Sequence, residues 1–187
     1  MSRLPPVEDS AVQELFARIA ESRGWVSNLL GALGHSPKAL DAFQRLGHFG
    51  RYETDLTERE RELVIVIAGR SVPYAWAHHA PLAMQVGITE TQLDKIKRGE
   101  VPEGLSASEA ALCAYCLAYT SFKGIPDDVF STLSSHYSNR QVTDISVLSS
   151  YYLGAGAILI GLKIVTEPPE VLQIELDWQK KTMAASD

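Results

Sequence analysis

Apolar residues recur at helical spacing along almost the whole chain. Val12, Leu15, Phe16 and Ile19 fall at i, i+3, i+4 and i+7 of one face, which predicts an amphipathic helix over about residues 11–23 with Asp9 or Ser10 as its cap. The apolar segment from Gly24 to Gly34 is broken by glycines, after which Ser36 and Pro37 open a second helix through Phe43 and Leu46 that ends near Gly47 or Gly50. Thr57 followed by Glu60 has the form of a capping box, in which the hydroxyl and the carboxylate each satisfy an amide that the first helical turn leaves free. The helix it starts carries a mostly apolar run that includes Glu62; after a short break a further helical segment follows, ending at Gly87. Thr89 with Gln92 and Ser106 with Glu109 repeat the box, predicting a short helix that stops at Gly99 and a longer one through Leu112, Cys113, Cys116 and Tyr119 that stops at Gly124 and Pro126. Asp127 is positioned to cap residues 129–136. Ser138 with Gln141 caps a long final helix through Ile145, Leu148 and Tyr151 to Ile164, closed by Pro168 and Pro169 ahead of a polar-amphipathic tail with Trp178. No stretch alternates as a strand does, so the fold class is all-α with seven or eight helices.

Composition narrows the picture. A chain of 187 residues is expected to form one domain, with a core over about residues 28–166 and extensions at both ends. With 17 basic against 23 acidic residues and a net charge of −6, it lacks the basic stripe of a nucleic-acid-binding surface. Apolar runs such as 155–162 fall short of the roughly 20 residues that cross a bilayer, and the N-terminus does not read as a signal peptide, so a cytoplasmic location is expected.

The chemistry concentrates between Leu56 and Gly87, where Tyr74, Trp76, His78 and His79 lie within two helical turns. His79 reads either as a core histidine or as a proton-transfer group, since imidazole titrates near working pH. His78 leaves the helix about 100° away, so one of the two faces elsewhere. Glu62, on a partly buried helix, needs a partner, and His79, Arg59 and Arg70 are the candidates. Tyr74 and Trp76 suit pocket walls, with Tyr74 able to donate a hydrogen bond. Cys113 and Cys116 imitate a redox pair, but mid-helix among Ala110, Leu112 and Leu117 they read as core packing. His35, His48, His78, His79 and His136 offer no i, i+4 pair of metal ligands, so no metal is expected.

These residues carry a resemblance. The order L-T-x-R-x-R-E-L-V-I from Leu56, the P-Y-x-W-x-x-H run from Pro73 to His79, and then small and apolar residues to G-I-T at Gly87 resemble the carboxymuconolactone decarboxylase family, which includes the AhpD-like peroxidases. Residues from Asn28 onward resemble the family's upstream helices. The resemblance implies an all-helical, usually oligomeric domain with catalytic residues matched here by Glu62 and His79. Peroxidase members carry C-x-x-C just before the histidine; Val72 and Ala75 stand at those positions, so thiol peroxidase chemistry is not expected there. Other members often read Y-E-W-x-x-H, and Ala75 replaces that glutamate as well.

A site without thiol, phosphate loop or dinucleotide fingerprint offers proton transfer, electrostatic stabilisation and shape, which suits cofactor-free decarboxylation or isomerisation. The resemblance implies the first, on a small lactone or related oxygenated acid. His79 is then the acid, Glu62 its orienting partner and Tyr74 a donor, with Trp76 and His78 beside the substrate. Arg51 and Arg70, which flank the stretch, are candidates to hold its carboxylate. The alternative is a catalytically lapsed helical module that binds a small molecule or serves in an assembly. A homo-oligomer, a trimer or a multiple of it, is expected from the family's habit and the glycines of the last helix.

Overall fold

The computed structural model describes residues 2–8 and 10–184, apart from the side chains at 11, 22, 23 and 182–184; Asp9, one of the two expected caps of the first helix, lies outside them. Ten helices and no strand occur among the described residues: α1 (Ser10–Arg23), α2 (Asn28–Leu33), α3 (Pro37–Tyr52), α4 (Glu58–Gly69), α5 (Pro73–Gln85), α6 (Glu90–Lys97), α7 (Ala107–Tyr119), α8 (Asp127–His136), α9 (Asn139–Gly161) and α10 (Pro169–Ala184). The all-α expectation holds, with two more helices than the pattern gave. One is α2, inside the glycine-broken segment, where the Ser27 side chain accepts from the Leu30 amide and Leu29 and Leu30 are buried. The other is α10, which Pro169 opens from the first helical position, where a missing N–H costs nothing.

The capping boxes form as their spacing predicts, at Thr57, Thr89 and Ser106. Ser138 and Gln141 make the same reciprocal pair ahead of α9. Asp127 is a correction: Pro126 occupies the cap position of α8, and Asp127 is its first helical residue, where an acidic side chain still favours the helix dipole.

By internal contacts the chain divides into two compact units, one built from the residues up to 46 together with those from 157 on, the other from residues 47–156. In the first, Val12, Leu15, Ile19, Leu30 and Leu40 form the core, with Phe16, Val26 and Phe43 packed against it.

The second unit is arranged around α4, which touches α5, α6 and α7, while α7 also touches α8. Every residue of α4 from Glu62 to Gly69 is buried, the condition of a helix apolar on all sides except for one carboxylate. A β-carbon at Gly69 would come within 2.9 Å of that of Ala75, so glycine is what lets α4 and α5 approach this closely. Likewise a β-carbon at Gly156 would meet the Val72 side chain at 2.9 Å. Helix α9, at 23 residues with a mean hydropathy of 1.3 over its most apolar window, is long and apolar enough to cross a membrane, yet half of that window is buried inside the protein. Its Asp144 is also buried and accepts the Asp55 amide at 3.1 Å, as in a core helix.

Candidate functional site

The site begins with the short connection between α4 and α5. Arg70 caps α4; the Val72 amide bonds the Gly69 carbonyl at 2.9 Å, and Pro73 starts α5 with its φ already set for a helix. Gly69 meets Ala75 next to the turn and Glu62 meets His79 farther from it, so α5 returns along α4.

Nδ1 of His79 lies 3.2 Å from Oε2 of Glu62, and the two side chains are only 8% and 2% exposed. A carboxylate this deep requires a partner, and of the three candidates it takes the imidazole. Arg59 instead donates to Glu109 at 2.5 Å and to the Val86 carbonyl at 3.2 Å. Arg70 donates to the Ile67 carbonyl and to the Thr120 hydroxyl, both at 2.8 Å. With the carboxylate accepting at Nδ1, the ring is fixed in orientation and Nε2 becomes the nitrogen able to exchange a proton. Tyr152 of α9 meets the His79 ring edge to face, with centroids 5.0 Å apart and planes at 88°, and Tyr151 meets Tyr152 in the same way at 5.2 Å. The imidazole is thus held by a charge on one side and an aromatic ring on another.

The remaining candidates separate around α5. His78 is buried and stacks on Tyr74 one turn earlier, with centroids 4.5 Å apart and planes at 20°. On a helical wheel this pair takes the edge of the buried stripe away from Trp76, while His79 takes the edge next to it. Trp76 is half-buried, and the Lys97 ammonium sits 4.7 Å from its ring centroid. Of the two proposed carboxylate-binding arginines, Arg70 is held as described, its pKa lowered by burial, and Arg51 lies over the Tyr52 ring at 5.9 Å. Sequence reasoning missed Tyr152 and Lys97. Both reach α5 from other helices, and no local spacing announces either.

Val72 and Ala75, at the positions of the peroxidase cysteines, are buried and carry no thiol. The thiols the chain does have lie elsewhere in this unit. Burial pushes Cys116 up to about 12 and Cys113 up further, and Cys116 lies 3.8 Å from the Ser149 hydroxyl within the core. Neither supplies a thiolate at neutral pH. No cluster of three His, Cys, Asp or Glu placed to hold a metal occurs among the described residues. The arrangement therefore offers an acid–base pair walled by aromatic rings.

Comparison with known proteins agrees with the resemblance. The carboxymuconolactone decarboxylase family matches residues 37–116, the part of the chain that includes Glu62 and His79. No curated protein matches the sequence significantly. Among solved structures, a peroxidase-related protein from Ralstonia eutropha with an alkylhydroperoxidase AhpD core is 16% identical, with a TM-score of 0.76 over 94% of this chain and 95% of that one. An AhpD-like protein from Agrobacterium tumefaciens is 21% identical, with a TM-score of 0.66 over 73% of this chain and 95% of that one. The debrominase Bmp8, in complex with 2,3,4-tribromopyrrole, is 16% identical, with a TM-score of 0.74 over 95% of this chain and 98% of that one. At these identities the likeness establishes an AhpD-like fold and leaves the chemistry to the residues.

Proposed function

We propose that this chain, with the carboxymuconolactone decarboxylase family match over residues 37–116 and the AhpD-like fold, is a lyase that decarboxylates a small lactone or related oxygenated acid by proton transfer. The observation that carries the reading is the buried Glu62–His79 pair beside two positions, Val72 and Ala75, that lack the thiol of the peroxidase members. In such a reaction the bond to the carboxylate carbon breaks and CO2 leaves, while the electron pair is held toward the lactone carbonyl. Protonated His79 then delivers its proton from Nε2 to carbon, and water restores it. Glu62 keeps the imidazole in register throughout; Tyr74, which stacks on His78 at the other edge of α5, is not needed for the proton transfer. We place the protein in the cytoplasm as a homo-oligomer, a trimer or a multiple of it. Gly154 supports the assembly, since an added β-carbon there meets nothing within 4 Å and a second helix has room to approach.

One observation favours the other reading, a lapsed module that binds a small molecule: Nη1 of Arg70, a candidate for the substrate carboxylate, is turned inward to the Ile67 carbonyl and the Thr120 hydroxyl. CO2 release from a panel of lactone acids, without added thiol donor, tests the choice. The lyase reading expects turnover by the wild type that His79→Gln removes. Release by neither protein, together with saturable binding of one of the acids, would favour the module.

A further inference from the structure

We propose that Lys97, held over the face of Trp76, binds the carboxylate of the ligand that His79 serves. The inference deepens the lyase reading and rests on it, because that reading needs a cation at the site and Lys97 is the one seen to lie over a residue of α5 itself. Arg70 gives Nη1 to the Ile67 carbonyl and to Thr120, and Arg51 lies over Tyr52 of its own helix α3.

Three cations end α6 or follow it directly. Two of them, Lys95 and Arg98, share Glu100, at 2.9 and 3.2 Å. The third, Lys97, turns toward α5 and sets its ammonium 4.7 Å from the centroid of the Trp76 ring. An indole face attracts an ammonium without accepting its hydrogen bonds in the way a carboxylate does. The side chain is thus positioned while its N–H donors stay available to an anion.

The placement on α5 is what ties this cation to the catalytic candidate. At 100° per residue, Trp76 stands about 60° from His79 but about 160° from His78 and Tyr74. Residues three apart on a helix have β-carbons about 5–6 Å from each other, so Trp76 and His79 are neighbours on one edge of the buried stripe. His79 is buried, Trp76 half-buried and Lys97 exposed, a sequence of increasing exposure that runs from the imidazole outward to the ammonium. A small acid can therefore have its carboxylate at the rim on Lys97 and its apolar ring against Trp76, with its reacting carbon directed toward His79. A cation holding a departing carboxylate stabilises the ground state at least as much as the transition state, so the role of Lys97 is binding and orientation. Its loss belongs in KM and leaves kcat nearly unchanged.

The test is an NMR titration of isotopically labelled full-length protein with a butyrolactone carboxylate and, separately, with its methyl ester, following the Trp76 indole N–H and the His79 ring. In the wild type the acid is expected to shift both in a saturable manner and the ester to bind about tenfold or more weakly, the equivalent of losing one charge-assisted contact. Lys97→Met should reduce the acid to the affinity of the ester, and Lys97→Arg, which keeps a cation able to stack on the indole, should restore most of it. Equal binding of acid and ester, unchanged acid affinity in Lys97→Met, or no saturable binding of the acid to the wild type would each overturn the proposal. The two readings fail separately. Lys97-dependent binding that leaves the His79 ring unmoved keeps the anchor and sinks proton transfer by His79. A His79 response that ignores Lys97 does the reverse.

Discussion

Helices α5 and α7 belong to one unit, both pack on α4, and each involves a pair of positions in the C-x-x-C spacing, yet their surroundings differ in opposite senses. At the start of α5 the pair is Val72 and Ala75, inert in themselves, but the same helix goes on to His79, which meets Glu62 at 3.2 Å and Tyr152 edge to face. In α7 the pair is Cys113 and Cys116, reactive by type, but both side chains are fully buried and burial pushes both thiols far above neutral pH. Residue type therefore misleads in both helices, and environment decides. A thiol works as a nucleophile only where the thiolate is stabilised, whereas an imidazole in register with a buried carboxylate can transfer protons beside residues that have no chemistry of their own.

The largest effect that would break this comparison is at His79. His79→Gln keeps approximate volume and one hydrogen bond but removes the titrating group, so kcat on the true substrate should fall by roughly 10²- to 10⁴-fold with little change in stability. The double variant Cys113→Ala/Cys116→Ala should leave kcat within a few fold, and a comparable loss there would transfer the chemistry to α7.

Glu62→Gln sharpens the account of α5 itself. If Glu62 orients the imidazole and does not exchange the proton itself, steady-state kinetics should show a smaller loss in kcat than in His79→Gln, and His78→Gln a smaller one still, because His78 stacks on Tyr74 at the far edge of the helix. A larger loss at His78 than at His79 would mean that the wrong histidine had been assigned.

For α7 the expected damage is to stability. Trimming both buried sulfurs to alanine should cost about 1–3 kcal/mol in a urea titration, as small deletions from a packed core do. Alkali should find the same weakness. Cys116 rises from an ordinary value of 9.0 to about 12 on folding, and Cys113 rises as well. Tyr137 also rises, through burial and through donating to Glu60 at 2.7 Å. Groups raised in this way give a stability that is fully present below their unfolded values and is lost as pH climbs, here from about 9 toward 12. The urea midpoint should fall over that window, and less steeply in the double variant. Iodoacetamide at pH 8 should label the native thiols slowly and the urea-unfolded ones quickly.

Much of this arrangement could be read from the chain because its signals are local. A capping box closes within three residues, so Thr57, Thr89, Ser106 and Ser138 mark helix starts without knowledge of the fold. The resemblance pointed to Glu62 and His79, and the antiparallel return after Gly69 explains why residues on separate helices meet. What escaped the sequence is non-local or compensated. Tyr152 reaches His79 from α9, and Lys97 reaches Trp76 from α6, contacts that no spacing encodes. Arg70 looked available beside the site because its cap to Ile67 and its bond to Thr120 exist only once α4 and α7 are packed. Helix α2 was hidden by Gly31, whose cost to the helix is offset by the Ser27 cap and the burial of Leu29 and Leu30.

The central claim is that the Glu62–His79 pair handles a proton for a bound acid, and nitrogen NMR of the His79 ring tests it most directly. In the free protein Nδ1 should carry the proton bonded to Glu62; on saturation with a lactone acid that is turned over, the Nε2 resonance should move while the Nδ1 bond to Glu62 persists. A ring whose two nitrogens keep the same signals with and without that acid would be a packing histidine, and the proposed chemistry would be contradicted.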